Sequence, residues 1–103
     1  MIKHIVMWKL KQDDGVNAAL QNARKLKTEI EQLAQTIPEI KHIEVGLNMA
    51  GSEHSADVVL YSEFGSLADL DIYQNHPDHQ KVVALVKEVA AERRVVDYEC
   101  LRD

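Results

Sequence analysis

The segment from Ile2 to Leu10 alternates with a period of two residues, which is the side-chain repeat of a β-strand. One face of this strand carries Ile2, His4, Val6, Trp8 and Leu10. The other carries Lys3, Ile5, Met7 and Lys9, and its centre is apolar as well. Because helices packed on a sheet cover only one of its faces, the second apolar face predicts a further layer against this strand.

An amphipathic helix is predicted after the first strand. Apolar residues recur at spacings of three and four from Val16 to Ile37. Asp13 or Asp14 is expected to be the N-cap, since a short acidic side chain accepts hydrogen bonds from the first turn. Pro38 disfavours helical backbone before it and is expected to end the helix.

The β pattern returns in three later segments. Residues 41–49 alternate again, and residues 56–64 contain a run of β-branched and aromatic side chains. These two segments are expected to form a hairpin. A last strand is predicted for residues 94–101, where valine and tyrosine predominate.

Between the hairpin and the last strand the pattern predicts two short helices. Ser66 followed by Asp69 resembles a capping box with Asp in place of Glu. Leu67, Leu70 and Tyr73 are then expected to share the buried face of the first helix. Pro77 interrupts that helix and suits the first turn of the next, whose apolar stripe begins at His79.

The order of elements is strand, helix, strand, strand, split helix, strand. This order is typical of an α+β ferredoxin-like domain, a split βαβ arrangement with a four-stranded antiparallel sheet and helices on one face. A chain of 103 residues has the size of one domain, so we expect a single domain over residues 1–103. The apolar second face of the sheet predicts pairing with a second copy, and hence a homodimer.

Charge and composition argue against several classes of partner. Twelve Lys and Arg against seventeen Asp and Glu give a formal net charge of -5, which disfavours binding to nucleic acid or to anionic membranes. No stretch approaches the roughly 20 apolar residues of a membrane span. The lone Cys100 closes no disulfide within the chain, and no signal-peptide pattern is seen at the N-terminus. We therefore expect a cytoplasmic protein.

Three polar side chains are candidates for chemistry in one pocket. His4 shares the face of Trp8 on the first strand, and Tyr73 and His79 face inward from the two short helices by helical spacing. A phenol and an imidazole brought together in an apolar pocket exchange protons near neutral pH. The alternative is that these groups only satisfy one another inside the core. His76 is either a further ligand-binding residue or a structural residue at the helix break.

The run Tyr73-Gln74-Asn75-His76-Pro77-Asp78-His79, taken with the Lys3-His4-Ile5-Val6 strand and the strand at 94–98, resembles the stress-responsive dimeric α/β-barrel (Dabb) family. The resemblance covers essentially the whole chain. It implies a ferredoxin-like subunit whose sheet pairs with that of a second copy to close a barrel.

The resemblance also implies candidate roles for individual residues. Some members of the family are plant stress proteins with no established catalysis, and one plant member is a cofactor-free polyketide cyclase. By motif, the acid-base tyrosine and histidine of that cyclase match Tyr73 and His79, and a histidine of its first strand matches His4. A further pocket histidine of the cyclase falls at about Asp57 here, which implies a different pocket.

No cofactor or metal is expected. His76 and His79 are three residues apart, but the proline after His76 favours an extended backbone there, so the two rings do not converge as on a helix. The sequence has no Cys-rich or His-x-x-x-His cluster for a metal and no Gly-rich loop for phosphate.

Two functional hypotheses remain open from the sequence. The first is a stress-response homodimer that binds a small apolar ligand between helices and sheet without catalysis. The second is a cofactor-independent acid-base enzyme, a polyketide cyclase-like enzyme or an isomerase or lyase, with His79 as base, Tyr73 as proton donor and His4 orienting the substrate. An open cavity reached by Tyr73 and His79 favours the second hypothesis. A cavity filled by Trp8, Leu70 and Val83 favours a structural role.

Overall fold

The computed structural model describes residues 1–101 as a sheet covered on one face by helices. The elements are β1 (Ile2–Leu10), α1 (Val16–Glu31), a 3₁₀ turn (Gln32–Gln35), β2 (Ile40–Leu47), β3 (Val58–Phe64), α2 (Leu67–Asn75), α3 (Pro77–Val89) and β4 (Ala90–Glu99). The four strands are antiparallel in the order β2-β3-β1-β4, which confirms the ferredoxin-like prediction. No helix within these residues is long and apolar enough to cross a membrane.

The core lies between the sheet and the helices. Burial alternates along β1 as the period of two requires, and Val6 and Trp8 are buried on the helix side. On that side Leu26 and Ile30 of α1 and Phe64 of β3 are also almost completely buried. The face assignment made from the pattern of β1 is therefore correct.

The start of α1 differs from the prediction. Neither Asp13 nor Asp14 caps the helix, and the N-cap is Gly15, with φ of 95° and no side-chain hydrogen bond. Only glycine adopts this backbone conformation without strain, so the turn into α1 depends on Gly15 and not on an acidic cap. The helix also ends earlier than predicted, since the chain continues after Glu31 as a 3₁₀ turn. Ile37, beyond that turn, is nevertheless fully buried.

The break between α2 and α3 follows the predicted capping chemistry in part. The N–H of Asp69 donates to the Ser66 hydroxyl at 3.1 Å, as the capping box predicts. Leu67, in contrast, is exposed, so its predicted place on the buried face of α2 is wrong, whereas Leu70 and Tyr73 are buried as predicted. The last strand begins at Ala90, four residues before the predicted start, since β4 follows α3 directly.

Side chains of α1 bind the outer edge of β2. Glu31 accepts a hydrogen bond from the Val45 N–H at 2.9 Å, and Lys27 donates to the Val45 carbonyl at 2.7 Å and to Glu31 at 2.8 Å. Burial opposes the ionisation of Glu31, but the hydrogen bonds from Lys27 and Val45 outweigh it and lower the pKa of this carboxyl. These contacts fasten α1 to the sheet.

Candidate active site

A cavity of about 330 Å³ lies between the sheet and α3. Its walls are formed by His4, Val6, Trp8, Ile30, Leu60, Tyr73, His79, Val82, Val83, Val86, Lys87 and Arg93. The structure thus brings His4, Tyr73 and His79 together with Trp8 around one space. Leu70 does not line it, and the volume is at the lower end of the range of about 300–1,000 Å³ found for small-molecule sites.

The aromatic rings of the site are in direct contact. The ring centroids of Tyr73 and His79 are 4.4 Å apart, and those of His4 and Tyr73 are 6.1 Å apart. Phe64 packs behind them, with its centroid 4.9 Å from Tyr73. Tyr73 therefore lies between the two histidines, and Phe64 fixes its ring from the core side.

His79 is held in one tautomer by the preceding helix. Its Nδ1 lies 3.0 Å from the carbonyl oxygen of Gln74, and because a carbonyl only accepts, Nδ1 carries the proton. In the neutral ring Nε2 is then left as an acceptor. Burial lowers the pKa of His79, and the nearby charge of Arg93 acts in the same direction. The imidazole is therefore in its neutral, basic form at pH 7.

His4 is oriented by a carboxylate that the sequence pattern did not identify. The Nδ1 of this buried ring is hydrogen-bonded to the carboxylate of Asp97 on β4. The two residues face each other in the β1–β4 register, although they are 93 positions apart in sequence. An acceptor on Nδ1 leaves Nε2 of a neutral His4 ring available to a ligand.

The hydroxyl of Tyr73 is available as a donor. Among residues 1–101 it has no hydrogen-bond partner, and burial raises the pKa of the phenol above its ordinary value. Tyr73 therefore stays protonated at physiological pH. The cavity therefore has a proton donor, the Tyr73 phenol, directly beside a base, the His79 imidazole.

Other residues considered from the sequence lie elsewhere. The Nδ1 of His76 accepts from the Asp78 N–H at 3.1 Å and so caps α3, and His76 is not among the cavity-lining residues. Asp57 accepts from the Leu10 N–H at 2.7 Å at the end of β1, outside the cavity. Within residues 1–101, no group of three or more His, Cys, Asp or Glu side chains is arranged to hold a metal ion.

Comparison with models of protein families shows which family the chain belongs to. The family model of the stress responsive A/B barrel domain, Dabb, matches residues 2–100. The chain belongs to the Dabb family. The resemblance seen in the Tyr73–His79 run is thereby confirmed, and this Dabb chain gives no match among curated proteins.

Solved structures agree with the Dabb fold. A dimeric protein of unknown function with a ferredoxin-like fold from Bacteroides fragilis is 39% identical, with a TM-score of 0.88, over 96% of this chain and 95% of that one. A dimeric ferredoxin-like protein from Thermobifida fusca is 22% identical, with a TM-score of 0.80, over 96% of this chain and 90% of the other. A hydroxynitrile lyase from Passiflora edulis is 16% identical, with a TM-score of 0.80, over 99% and 94%, respectively. At such low identity the last two comparisons show the fold alone.

Proposed function

We propose that this chain binds a small, mainly apolar carbonyl compound in the cavity between sheet and α3, and catalyses proton transfer on it without a cofactor. The observation that carries the proposal is the contact between a neutral imidazole and an unpartnered phenol in one cavity, at 4.4 Å between ring centroids. Most of the remaining wall is aliphatic, which suits an apolar ligand body.

The chemistry follows from the hydrogen bonds of the site. His79 Nε2 takes a proton from the carbon next to the carbonyl, and the electron pair of that C–H bond becomes part of an enolate. The Tyr73 hydroxyl donates a hydrogen bond to the enolate oxygen, where the negative charge develops. His79 then returns the proton to the same or to another carbon. His4, fixed by Asp97, orients the substrate.

Proton exchange on a simple ketone tests this proposal. We expect the protein to exchange the methyl protons of acetophenone for deuterium in D₂O at least about a hundredfold faster than an equal concentration of imidazole, as general acid-base groups in a site allow. Tyr73→Phe is expected to slow the exchange about tenfold or more, because one hydrogen bond to the developing charge is lost. The exchange is followed by proton NMR.

Exposed histidine supplies the control. His54→Gln removes an imidazole that is almost fully exposed in the loop before β3, and we expect it to leave the rate unchanged. Exchange no faster than imidazole, or lost equally in His54→Gln, would reject the catalytic part of the proposal. If acetophenone binds but its protons do not exchange, the protein binds the ligand without catalysing the reaction. Binding is measured from the fluorescence of Trp8, the only tryptophan of the chain.

We propose further that two copies pair through the face of the sheet opposite the helices. That face exposes apolar side chains near its centre, with Met7 45% and Val96 51% exposed, and Ile5 lies beside them. Toward β3 this face is polar, since Tyr61 donates to Glu63 and Lys3 lies beside both. The dimeric state of the Bacteroides fragilis relative supports the pairing.

A charge on this face is expected to separate the copies. Met7→Lys strands an ammonium group in an apolar interface, so light scattering after size exclusion should show a mass near 11.7 kDa where the parent protein shows twice that mass. Met49→Lys, at a loop residue 98% exposed, is the matched control and should remain dimeric. Circular dichroism verifies that Met7→Lys is folded. A monomeric parent protein, or a dimeric and folded Met7→Lys variant, would contradict the face assignment.

A further inference from the structure

The two ends of the cavity differ in chemistry. His4 and His79 lie at one end, whereas Trp8 is four residues further along β1 and Lys87 eight residues further along α3. At about 3.3 Å per residue in a strand and 1.5 Å in a helix, the two ends are about 12–13 Å apart. The backbone of Arg93 is at the second end, because it faces Trp8 in the β1–β4 register, and its long side chain brings the charge near enough to act on His79.

The second end of the cavity holds hydrogen-bond donors. Lys87 and Arg93 have no carboxylate partner among residues 1–101. The indole N–H of Trp8, a residue only 4% exposed, is buried without a partner. Lysine, arginine and tryptophan side chains donate and do not accept, so this end is suited to an acceptor that carries negative charge.

The positive charge at the second end of the cavity contrasts with the negative net charge of the chain. The chain has a formal net charge of -5, yet no Asp or Glu of the described residues, 1–101, lines the cavity. The carboxylate of Asp97 is hydrogen-bonded to His4, and Asp97 lies four residues from Arg93 along β4. Two exposed cations without carboxylate partners in the described part of the chain therefore lie at the rim of an apolar cavity of an acidic protein, where a ligand carboxylate is the complementary group.

We infer that the ligand of this cavity is an elongated monocarboxylate, whose carboxylate is bound by Arg93 and Lys87 and whose apolar chain extends along the aliphatic wall and carries the reacting carbonyl group to Tyr73 and His79. The inference rests on the proposed function, since it names the class of molecule that occupies the same cavity. It does not depend on catalysis, because carboxylate recognition and proton transfer use opposite ends of the site.

Octanoate and octanamide test this inference, since they have the same length and differ in charge. Binding of each to the dimer is followed by the fluorescence of Trp8. We expect octanoate to bind at least about tenfold more tightly than octanamide, as one or more charge-assisted hydrogen bonds require. We also expect the preference to weaken as salt is added, because the rim cations are exposed.

The double variant Lys87→Gln/Arg93→Gln should bring octanoate binding down to the level of octanamide binding and so abolish the preference. Its matched control is Lys81→Gln/Arg24→Gln, which removes one lysine and one arginine from exposed positions of α3 and α1 that do not line the cavity. Equal binding of the two probes, or an equal loss of preference in the control, would overturn the carboxylate assignment and leave the cavity as a neutral-ligand site. Failure of both probes to bind would overturn the inference together with the proposed ligand pocket.

Discussion

Replacing His79 by glutamine is expected to lower the rate of acetophenone exchange by about 10²–10⁴-fold, the usual contribution of a general base. Glutamine has a similar reach and retains a donor for the Gln74 carbonyl, so the loss reports the missing base and not a collapsed helix break. The measurement compares His79→Gln with His54→Gln under identical conditions. A His79→Gln variant that keeps the parental rate while folded would exclude His79 as the base.

The pH dependence gives a second readout of His79. Because burial lowers its pKa from the ordinary value of 6.5, the exchange rate should stay high at pH 6.5 and fall only at lower pH, as Nε2 becomes protonated. The same shift affects folding. As the pH falls below 6.5 the unfolded chain takes up a proton at this residue before the folded chain does, so the free energy of unfolding decreases. His79→Gln should lack this part of the acid sensitivity. If the exchange rate falls with a midpoint above pH 6.5, the argument that burial lowers the pKa of His79 is contradicted.

Phe64→Ala is expected to reduce the free energy of unfolding by about 3–5 kcal/mol, the cost of removing a large aromatic side chain from a core. Phe64 is fully buried and packs against Tyr73, with His4 at 6.4 Å between ring centroids. A domain of this size has a total stability of only about 5–15 kcal/mol, so the variant should be close to unfolding at 37 °C.

Urea denaturation followed by circular dichroism measures this loss. Ile72→Ala is the control, because Ile72 lies on the same helix as Tyr73 but is 47% exposed, and it should cost less than about 1 kcal/mol. A loss below about 1 kcal/mol in Phe64→Ala would show that the layer behind Tyr73 is not close-packed. In that case the site would lack the rigid support that its geometry implies.

The local patterns of the sequence predicted most of the fold and which side chains meet at one part of the cavity. Period two placed His4 and Trp8 on the buried face of β1, and helical spacing turned Tyr73 and His79 inward. These predictions depend on neighbours within one element, where side-chain direction follows directly from the repeat.

The missed features depend on contacts between distant segments. Asp97 meets His4 only through the β1–β4 register, and its own strand is exposed along almost its whole length, so no alternation marks its inner face. The two cations at the far end of the cavity come from α3 and β4, and in the sequence pattern a charged residue on either element is interpreted as solvent-exposed. Gly15 replaced the expected acidic cap because backbone conformation, which the apolar pattern does not encode, decides that turn.

The contacts of Lys27 and Glu31 with Val45 have a consequence for how the sheet can grow. They occupy the backbone groups that a strand arriving at the middle of the β2 edge would need, whereas β4 at the other end has no strand beyond it among residues 1–101. A sheet blocked at one end and open at the other cannot propagate into a fibre. Two copies that met along β4 would use up both open edges and leave a blocked edge at each end, so any assembly through strand edges stops at two copies.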